Sequence, residues 1–356
     1  MKILHTSDLH LASPLSSRLS AEAARIRRRE IGEVFARLCE AARAEGCSAM
    51  IIAGDLFDSD CVSRPALESV LHTMRSERGL SFFYLAGNHE GEIIRKSGLE
   101  IPRNLFIFGE DWTSFAAGEV VITGRSQLSP GAFNELRLSP DMKNIVVLHG
   151  ELRDHTDIDV IGKRDAVGIG IDYLALGHYH SYEEIELDKR TRAVYCGTPE
   201  GRGFDETGEK GYVIIDTAKS EISPRFVPFA KRTVHRIRLD ITGISAQDEL
   251  YERIGTRLAV VDRSSLVRLE LVGEYTEGLW KSAESIERRF GAGFFHFEVL
   301  DSSRMALDYE KLKYDKTLKG EFIRLVIGDD SIPAPMKEKI ISCGIYSLLG
   351  EATYEE

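Results

Sequence analysis

The stretch "DYLALGHYHSYEE" (Asp172–Glu184) decides how the chain is read. Its apolar run, Tyr173–Leu176, has the length and content of a buried strand. The run stops at Gly177, and two histidines follow one residue apart, His178 and His180. Two imidazoles at the exit of a buried strand have little to do by themselves. If other strands end in Asp, Asn and His at comparable points, the set binds metal.

Other strands do. Lys2–His5 leads into "SDLH", with Asp8 and His10. Ala49–Ala53 leads into "GDLFD", with Asp55 and Asp58, and Ser81–Leu85 into "GNHE", with Asn88, His89 and Glu90. "IVVLHG" ends in His149. Each fragment alone matches many unrelated proteins, and a histidine at a strand end is usually a satisfied polar residue. The joint occurrence at the carboxyl ends of strands, where open α/β sheets bind their ligands, is not explained that way. Carboxylate, imidazole and amide oxygen without thiolate suit Mn²⁺, Fe²⁺ or Zn²⁺. So many candidate ligands are too many for one ion and fit two that share a carboxylate. Two ions roughly 3.5–4 Å apart clamp the attacking and leaving oxygens of a phosphoryl displacement.

The same theme organises residues 1–230. Further apolar runs at Val120–Thr123, Ala193–Cys196 and Tyr212–Ile215 read as strands covered on both faces. One helix is expected between the first two strands, with Ile31, Val34, Phe35, Leu38 and Ala42 as its apolar stripe and Gly46 at its end. A second is expected over Arg64–Arg78, with Pro65 at its start. Alternating strands and helices define an α/β domain. From residue 231 the pattern changes: "VHRIRLDI" (Val234–Ile241) alternates apolar and polar. Helices over Ala246–Val260 and Leu279–Phe290, with strands Leu266–Leu271 and Phe294–Leu300, make 231–302 a small α+β module. Two helices, Lys319–Ile327 and Pro335–Leu349, are expected in a tail over 303–356.

With 356 residues, 43% hydrophobic and 29% charged, the composition is that of a soluble globular protein. No window approaches the roughly 18 consecutive apolar residues of a membrane span. The polar turn after "MKIL" is unlike a signal peptide. Five scattered cysteines (Cys39, Cys47, Cys61, Cys196, Cys343) read as reduced thiols in a cytoplasmic protein. A net charge of −11 argues against nucleic-acid binding over the whole surface, but bound dications reverse the sign of a site locally. The arginine run Arg25, Arg27, Arg28 and Arg29 reads as a solvated helix face; for Lys231, Arg232, Arg236 and Arg238 a solvated face and a binding face are equally open. "CGTPEGRGFDETGEKG" (Cys196–Gly211) brushes against a phosphate-binding loop, but Glu209 stands where lysine should, and no helix follows. Either Arg202 and nearby amides face a phosphate there, or the segment is a plain turn.

The series "DLH…GDLFD…GNHE…LHG…GHYH" resembles the signature of the calcineurin-like metallophosphoesterases. More closely, the chain resembles the SbcD/YhaO branch, the nuclease subunits of DNA double-strand-break repair complexes. "HTSDLHLASPL", "IIAGDLFDS", "YLALGHYH" and "GEKGYVIID" carry that likeness over residues 1–230; it extends weakly through the small module and "LKGEFIRLVI". The resemblance implies a four-layer α/β/β/α sandwich with 231–302 as a DNA-capping domain. It further implies that Asp8, His10 and His180 hold one metal, that Asn88, His149 and His178 hold the other, and that Asp55 bridges them. His89 would act on the scissile phosphate as general acid or charge stabiliser. The family usually has Asp where this chain has Glu90, which bears on how His89 is oriented. Asp58 is expected either to support a ligating histidine or to cap a turn. The implied activity is hydrolysis of DNA by two divalent ions, Mn²⁺ first, in a homodimer partnered by an SMC-like ATPase of the SbcC/YhaN kind. Arg236 and Arg238 in the cap, with Arg202, are the substrate-binding candidates. The rivals are a phosphatase or cyclic-nucleotide phosphodiesterase using the same metals, and a binding scaffold without catalysis.

Overall fold

A computed structural model describes residues 1–13, 15, 19–59, 62–219, 221–276, 278–306 and 312–349. The chain divides into two compact units, Met1–His235 and Arg236–Glu356. In the first, β1 (Lys2–Thr6) is followed by helices α1 (Ala21–Gly32) and α2 (Val34–Ala44), then β2 (Ala49–Ala53), α3 (Arg64–Ser76), β3 (Ser81–Leu85) and β4 (Leu105–Ile107). Next come β5 (Thr113–Ala117), β6 (Val120–Gly124), β7 (Lys143–His149), β8 (Glu151–Arg153), β9 (Val160–Gly162) and β10 (Tyr173–Gly177). β11 (Glu183–Glu186), β12 (Arg192–Tyr195), β13 (Gly211–Asp216) and β14 (Ser223–Pro228) complete the unit.

Two mixed sheets result, ordered β14-β13-β1-β2-β3-β4 and β11-β12-β10-β7-β6-β5. Successive residues of a strand face opposite ways, and the core follows that alternation. Ile3, Ile51, Phe83, Val147 and Ala175 lie between the sheets. Their neighbours Leu4, Met50, Ile52, Phe82 and Tyr84 pack on the other face against Phe35, Leu38, Leu71 and Met74 of α2 and α3. Val146, Leu148, Leu174 and Leu176 face the far side with Phe133 and Ile171. That is why the strands read as continuous apolar runs: both faces are covered. The helical cover of the second sheet is thin, with single turns at Ala132–Glu135 and Lys163–Ala166.

Two local expectations change. The helix expected as one piece is two, broken at Glu33 just after Gly32, a residue about 1 kcal/mol worse than alanine inside a helix. The arginine run is not a uniformly solvated face. Arg25, Arg28 and Arg29 are exposed, but Arg27 is fully buried, paired with Glu30 at 2.8 Å and Glu200 at 3.1 Å. Arg232 also binds Glu30, at 2.8 Å. Cys39, Cys47 and Cys196 are buried free thiols, Cys343 is an exposed one, and Cys61 lies outside the described residues. Among the described residues no helix is long and apolar enough to cross a membrane.

The strand Val234–Asp240 begins two residues before the second unit and forms there a three-stranded sheet with Leu266–Val272 and His296–Asp301. Helices Gln247–Leu258 and Ala283–Phe290 cover one face through Leu250, Ile254 and Ile286, against Val267, Leu269 and Leu271. Helices Leu318–Gly328 and Ala334–Leu349 pack on each other through Ile323, Val326, Ile341 and Ile345.

Candidate metal centre

The parallel strands β1, β2 and β3 are neighbours in one sheet, and β7 and β10 are neighbours in the other. Their carboxyl ends deliver every residue of the series. The β1 and β2 loops stay zipped beyond the strands: the amides of Asp8, His10 and Leu11 donate to the carbonyls of Gly54, Asp55 and Leu56 at 3.0, 3.0 and 2.9 Å. Asp8, His10, Asp55 and His178 adopt positive φ, at 52°, 45°, 51° and 104°. Among the described residues they are four of the six non-glycine residues that do so. Such backbone is unfavourable for L residues and persists where surroundings over-determine it, typically at functional sites. Gly54 (φ 92°) and Gly87 leave room for what packs on them, because a Cβ there would run into the His149 ring and the Asp55 carboxylate respectively.

The donors converge. Nε2 of His10 and Nε2 of His180 stand 3.3 Å apart, with Asp8 Oδ1 3.7 Å from His180 Nε2. Nε2 of His149 is 3.0 Å from Asn88 Oδ1 and 3.3 Å from Asp55 Oδ2, and Asp55 Oδ2 is 3.8 Å from His10 Nε2. Two groups have the spacing to hold an ion: Asp8, His10 and His180, and Asp8, Asp55 and His149. Asp8 belongs to both groups and Asp55 to the second alone, with its Oδ2 3.8 Å from His10 of the first. The ring of His178 lies edge-on to His149 at 5.5 Å, while its backbone amide donates to both oxygens of Asp8 at 3.1 Å. Atoms bound at roughly 2.1 Å to one ion stand roughly 3.0–3.4 Å apart, so these spacings suit a first coordination sphere.

Charge points the same way. Asp8 and Asp55 are 0% and 2% exposed, a costly place for two carboxylates without a cation. Burial pushes the Asp8 carboxyl up. Burial also works to raise Asp55, but the hydrogen bond and charge of His149 outweigh it and hold Asp55 low. His149 is pushed up to about 9, burial being overcome by Asp55 and Asp8. His10 is pushed down to about 4 by burial and by the charge of Arg202. Buried carboxylates ringed by imidazoles fit a pair of divalent cations.

The outer nitrogens of His149 and His180 have hydrogen-bond partners, whereas that of His10 is buried with a carboxylate close by but no hydrogen bond. His149 Nδ1 lies 2.9 Å from the Ala53 carbonyl, His10 Nδ1 3.1 Å from Asp58 Oδ1, and His180 Nδ1 2.7 Å from Glu206 Oε1. Glu206 is held down to about 2, burial being outweighed by His180 and Arg202. Buried Lys210 donates to the His180 carbonyl at 2.7 Å. Glu206 and Lys210 escaped the sequence reading because no fixed spacing ties them to His180; two ionisable residues in a glycine-rich segment were the only signal. Arg202, weighed above as a phosphate contact, has its guanidinium on Asp58 at 2.7 Å and on Glu206 at 2.8 Å.

His89 differs from its neighbours. Its ring is 49% exposed, with Nε2 4.0 Å from Asp55 Oδ2, and its backbone amide donates to Asp55 Oδ1 at 3.2 Å. Glu90 is buried and spends its carboxylate on the amides of Leu56 (3.0 Å), Phe57 (2.7 Å) and Gly87 (3.3 Å). Its extra methylene serves the loops rather than the His89 ring. Arg236 and Arg238 belong to the second unit, on one face of a strand, where both lie against Glu270 at 3.0 and 3.7 Å.

Fold and site together define a metallophosphoesterase. The family model for calcineurin-like phosphoesterases matches residues 1–182, more than half of the chain, which therefore belongs to that family. Members of this family typically hold two divalent metals. Among relatives, the metallophosphoesterase YhaO of Bacillus subtilis is 26% identical over 302 residues, 78% of this chain and 73% of YhaO. The DNA double-strand break repair protein Mre11 of Methanosarcina acetivorans is 27% identical over 281 residues. That match takes in 71% of this chain but only 42% of the Mre11 protein. Among solved structures, TT1561 of Thermus thermophilus superposes with a TM-score of 0.42 and 13% identity, over 63% of this chain and 98% of TT1561.

Proposed function

We propose that the chain is a two-metal phosphodiesterase that hydrolyses DNA. The observation that carries the reading is the convergence of buried Asp8, Asp55 and His10 with Asn88, His149 and His180, beside a half-exposed His89. The names of the Mre11 relatives support DNA as the substrate. Two divalent ions supply an activated water and Lewis-acid stabilisation of the phosphoryl oxygens. Asp8, His10 and His180 hold one ion, Asn88, His149 and His178 the other, and Asp55 touches both. The hard oxygen and imidazole donors favour Mn²⁺. His89 reaches a phosphate seated over the pair and either steadies its charge or gives a proton to the leaving oxygen. Residues 231–302 serve as the DNA cap, with Arg236 and Arg238 on the phosphate backbone. A homodimer working with an SMC-like ATPase in the cytoplasm completes the proposal on the resemblance.

One observation favours a smaller phosphoester. A cavity of about 560 Å³ bounded by Asn88, His149 and His178 also carries the carboxylates of Glu92, Glu110 and Asp159, which repel the neighbouring phosphates of a polyanion. The deciding assay compares Mn²⁺-dependent degradation of linear duplex and single-stranded DNA with hydrolysis of a chromogenic diester and monoester. Cleavage of both DNA forms supports the nuclease; turnover of the small esters alone refutes it. His180→Ala should bring the bound Mn²⁺ from two ions towards one per chain, and a wild-type protein that takes up no Mn²⁺ overturns the metal site itself.

A further inference from the structure

The two halves of the site are anchored differently. The outer nitrogen of His149 meets a main-chain carbonyl of β2, fixed by the sheet. That of His180 is hydrogen-bonded to the Glu206 carboxylate, while that of His10 lies 3.1 Å from Asp58 Oδ1, on a separate loop, without hydrogen-bond geometry. Both carboxylates converge on Arg202. Its Nη1 donates to Asp58 Oδ1 at 2.7 Å and to Ser13 Oγ at 3.4 Å. Its Nη2 and Nε donate to Glu206 Oε1 at 2.8 and 3.1 Å, and its main-chain amide to Glu206 Oε2 at 2.6 Å. The Arg202 side chain is 17% exposed and that of Glu206 3%. A closed ring of contacts runs His10–Asp58–Arg202–Glu206–His180 and back across the 3.3 Å gap between the two Nε2 atoms.

We propose that Arg202 is a positioning residue for the metal held by His10 and His180, and that it acts on that ion alone. The inference rests on the two-metal reading above. A carboxylate hydrogen-bonded to Nδ1, as Glu206 is to His180, keeps the proton on that nitrogen and leaves the Nε2 lone pair for a metal, and Asp58 sets its charge beside Nδ1 of His10. The Arg202 side chain ties both carboxylates, and Glu206 keeps a main-chain bond to the Arg202 amide when that side chain is changed. Asp58 and Glu206 repel each other as like charges, and the planar guanidinium fork gives each of them a separate edge. Lysine offers a single point charge and cannot reproduce both edges. The sequence expectation that Arg202 meets a phosphate is the competing account, and the two make different predictions.

The test uses the full chain with Mn²⁺ as the only probe, read by isothermal titration and by electron paramagnetic resonance. Wild type should bind two ions whose spins couple. In Arg202→Gln one ion should bind roughly 10–100-fold more weakly, the usual cost of losing an outer partner, while the other is unchanged. At intermediate Mn²⁺ the coupled spectrum should give way to that of an isolated ion, and Arg202→Lys should fall between the two proteins. Glu206→Gln and Asp58→Asn provide the same selective loss if Arg202→Gln does not fold. Two ions bound with unchanged affinity in Arg202→Gln, or both weakened equally, overturn the proposal. Unchanged metal binding with a raised KM for a phosphodiester hands Arg202 to the substrate instead. If wild type binds no pair of ions, the two-metal reading has failed, an outcome distinct from failure of the clasp.

Discussion

Glu90→Ala should destabilise the protein and loosen the metal site together. The carboxylate accepts from the amides of Leu56 and Phe57 at 3.0 and 2.7 Å and, at a longer 3.3 Å, from Gly87. Leu56 and Phe57 are 0% exposed, so water does not replace the lost acceptor without local opening. A buried donor left unsatisfied costs about 1–3 kcal/mol, so the two short bonds together represent about 2–6 kcal/mol. That is a large share of the roughly 5–15 kcal/mol that stabilises a domain. Leu56 follows Asp55 and Gly87 precedes Asn88, so the same amides fix the backbone of two proposed ligands. Glu90→Gln keeps one carbonyl acceptor and should lose about half as much. Urea titration of each variant gives the stability change, and Mn²⁺ stoichiometry gives the effect on the site. An unchanged midpoint with two ions still bound in Glu90→Ala refutes the bracing role.

Three other expectations follow the same logic. His89→Ala should keep both ions but cut turnover by roughly 10²–10⁴; metal lost along with activity reassigns the residue. Burial works to raise the Glu30 carboxyl, but Arg232 and Arg27 overcome it and hold it at about 2. A depressed pKa gives stability that is complete above the unfolded value and lost as the pH falls through the folded one. Glu30→Gln should therefore flatten the loss of thermal stability between about pH 4.5 and 2, and a melting curve as acid-sensitive as wild type removes this pair from the account. Arg236→Gln with Arg238→Gln should weaken cleavage of duplex DNA at moderate salt while sparing a small diester. Glu270→Gln is combined with these two substitutions, since Glu270 is 7% exposed and loses both cations; equal DNA cleavage denies these arginines the role.

The strands with two covered faces were legible in the sequence because burial writes itself as an unbroken apolar run, as in the fully buried Ala49–Ala53. The edge strand Glu183–Glu186, nearly all exposed, carries no such pattern and was missed. Residues delivered by strand ends were legible for the same reason: once the strands are placed, Asp8, His10, Asp55, Asn88, His149 and His180 fall at their exits. What surrounds them was not. Arg27, Glu30, Glu90, Glu200 and Glu206 are charged residues that look solvated in the sequence and are buried because each found a partner far along the chain or in another loop. Pairings of that kind follow from tertiary proximity, which residue spacing does not encode.

The hydrogen-bond ladder that continues past β1 and β2 gives the loops the dynamics of a sheet interior. Amide exchange with solvent requires opening, and these loop amides are closed by the same kind of bond that holds the strands. In deuterated buffer the amides of Asp8, His10 and Leu11, donating to Gly54, Asp55 and Leu56, should be retained on the timescale of the central strands. The half-exposed loop around Asn88 and His89 should exchange sooner. A site built this way has one wall tied by a continued ladder of main-chain bonds and another, around Asn88 and His89, whose amides lean on the side chains of Glu90 and Asp55.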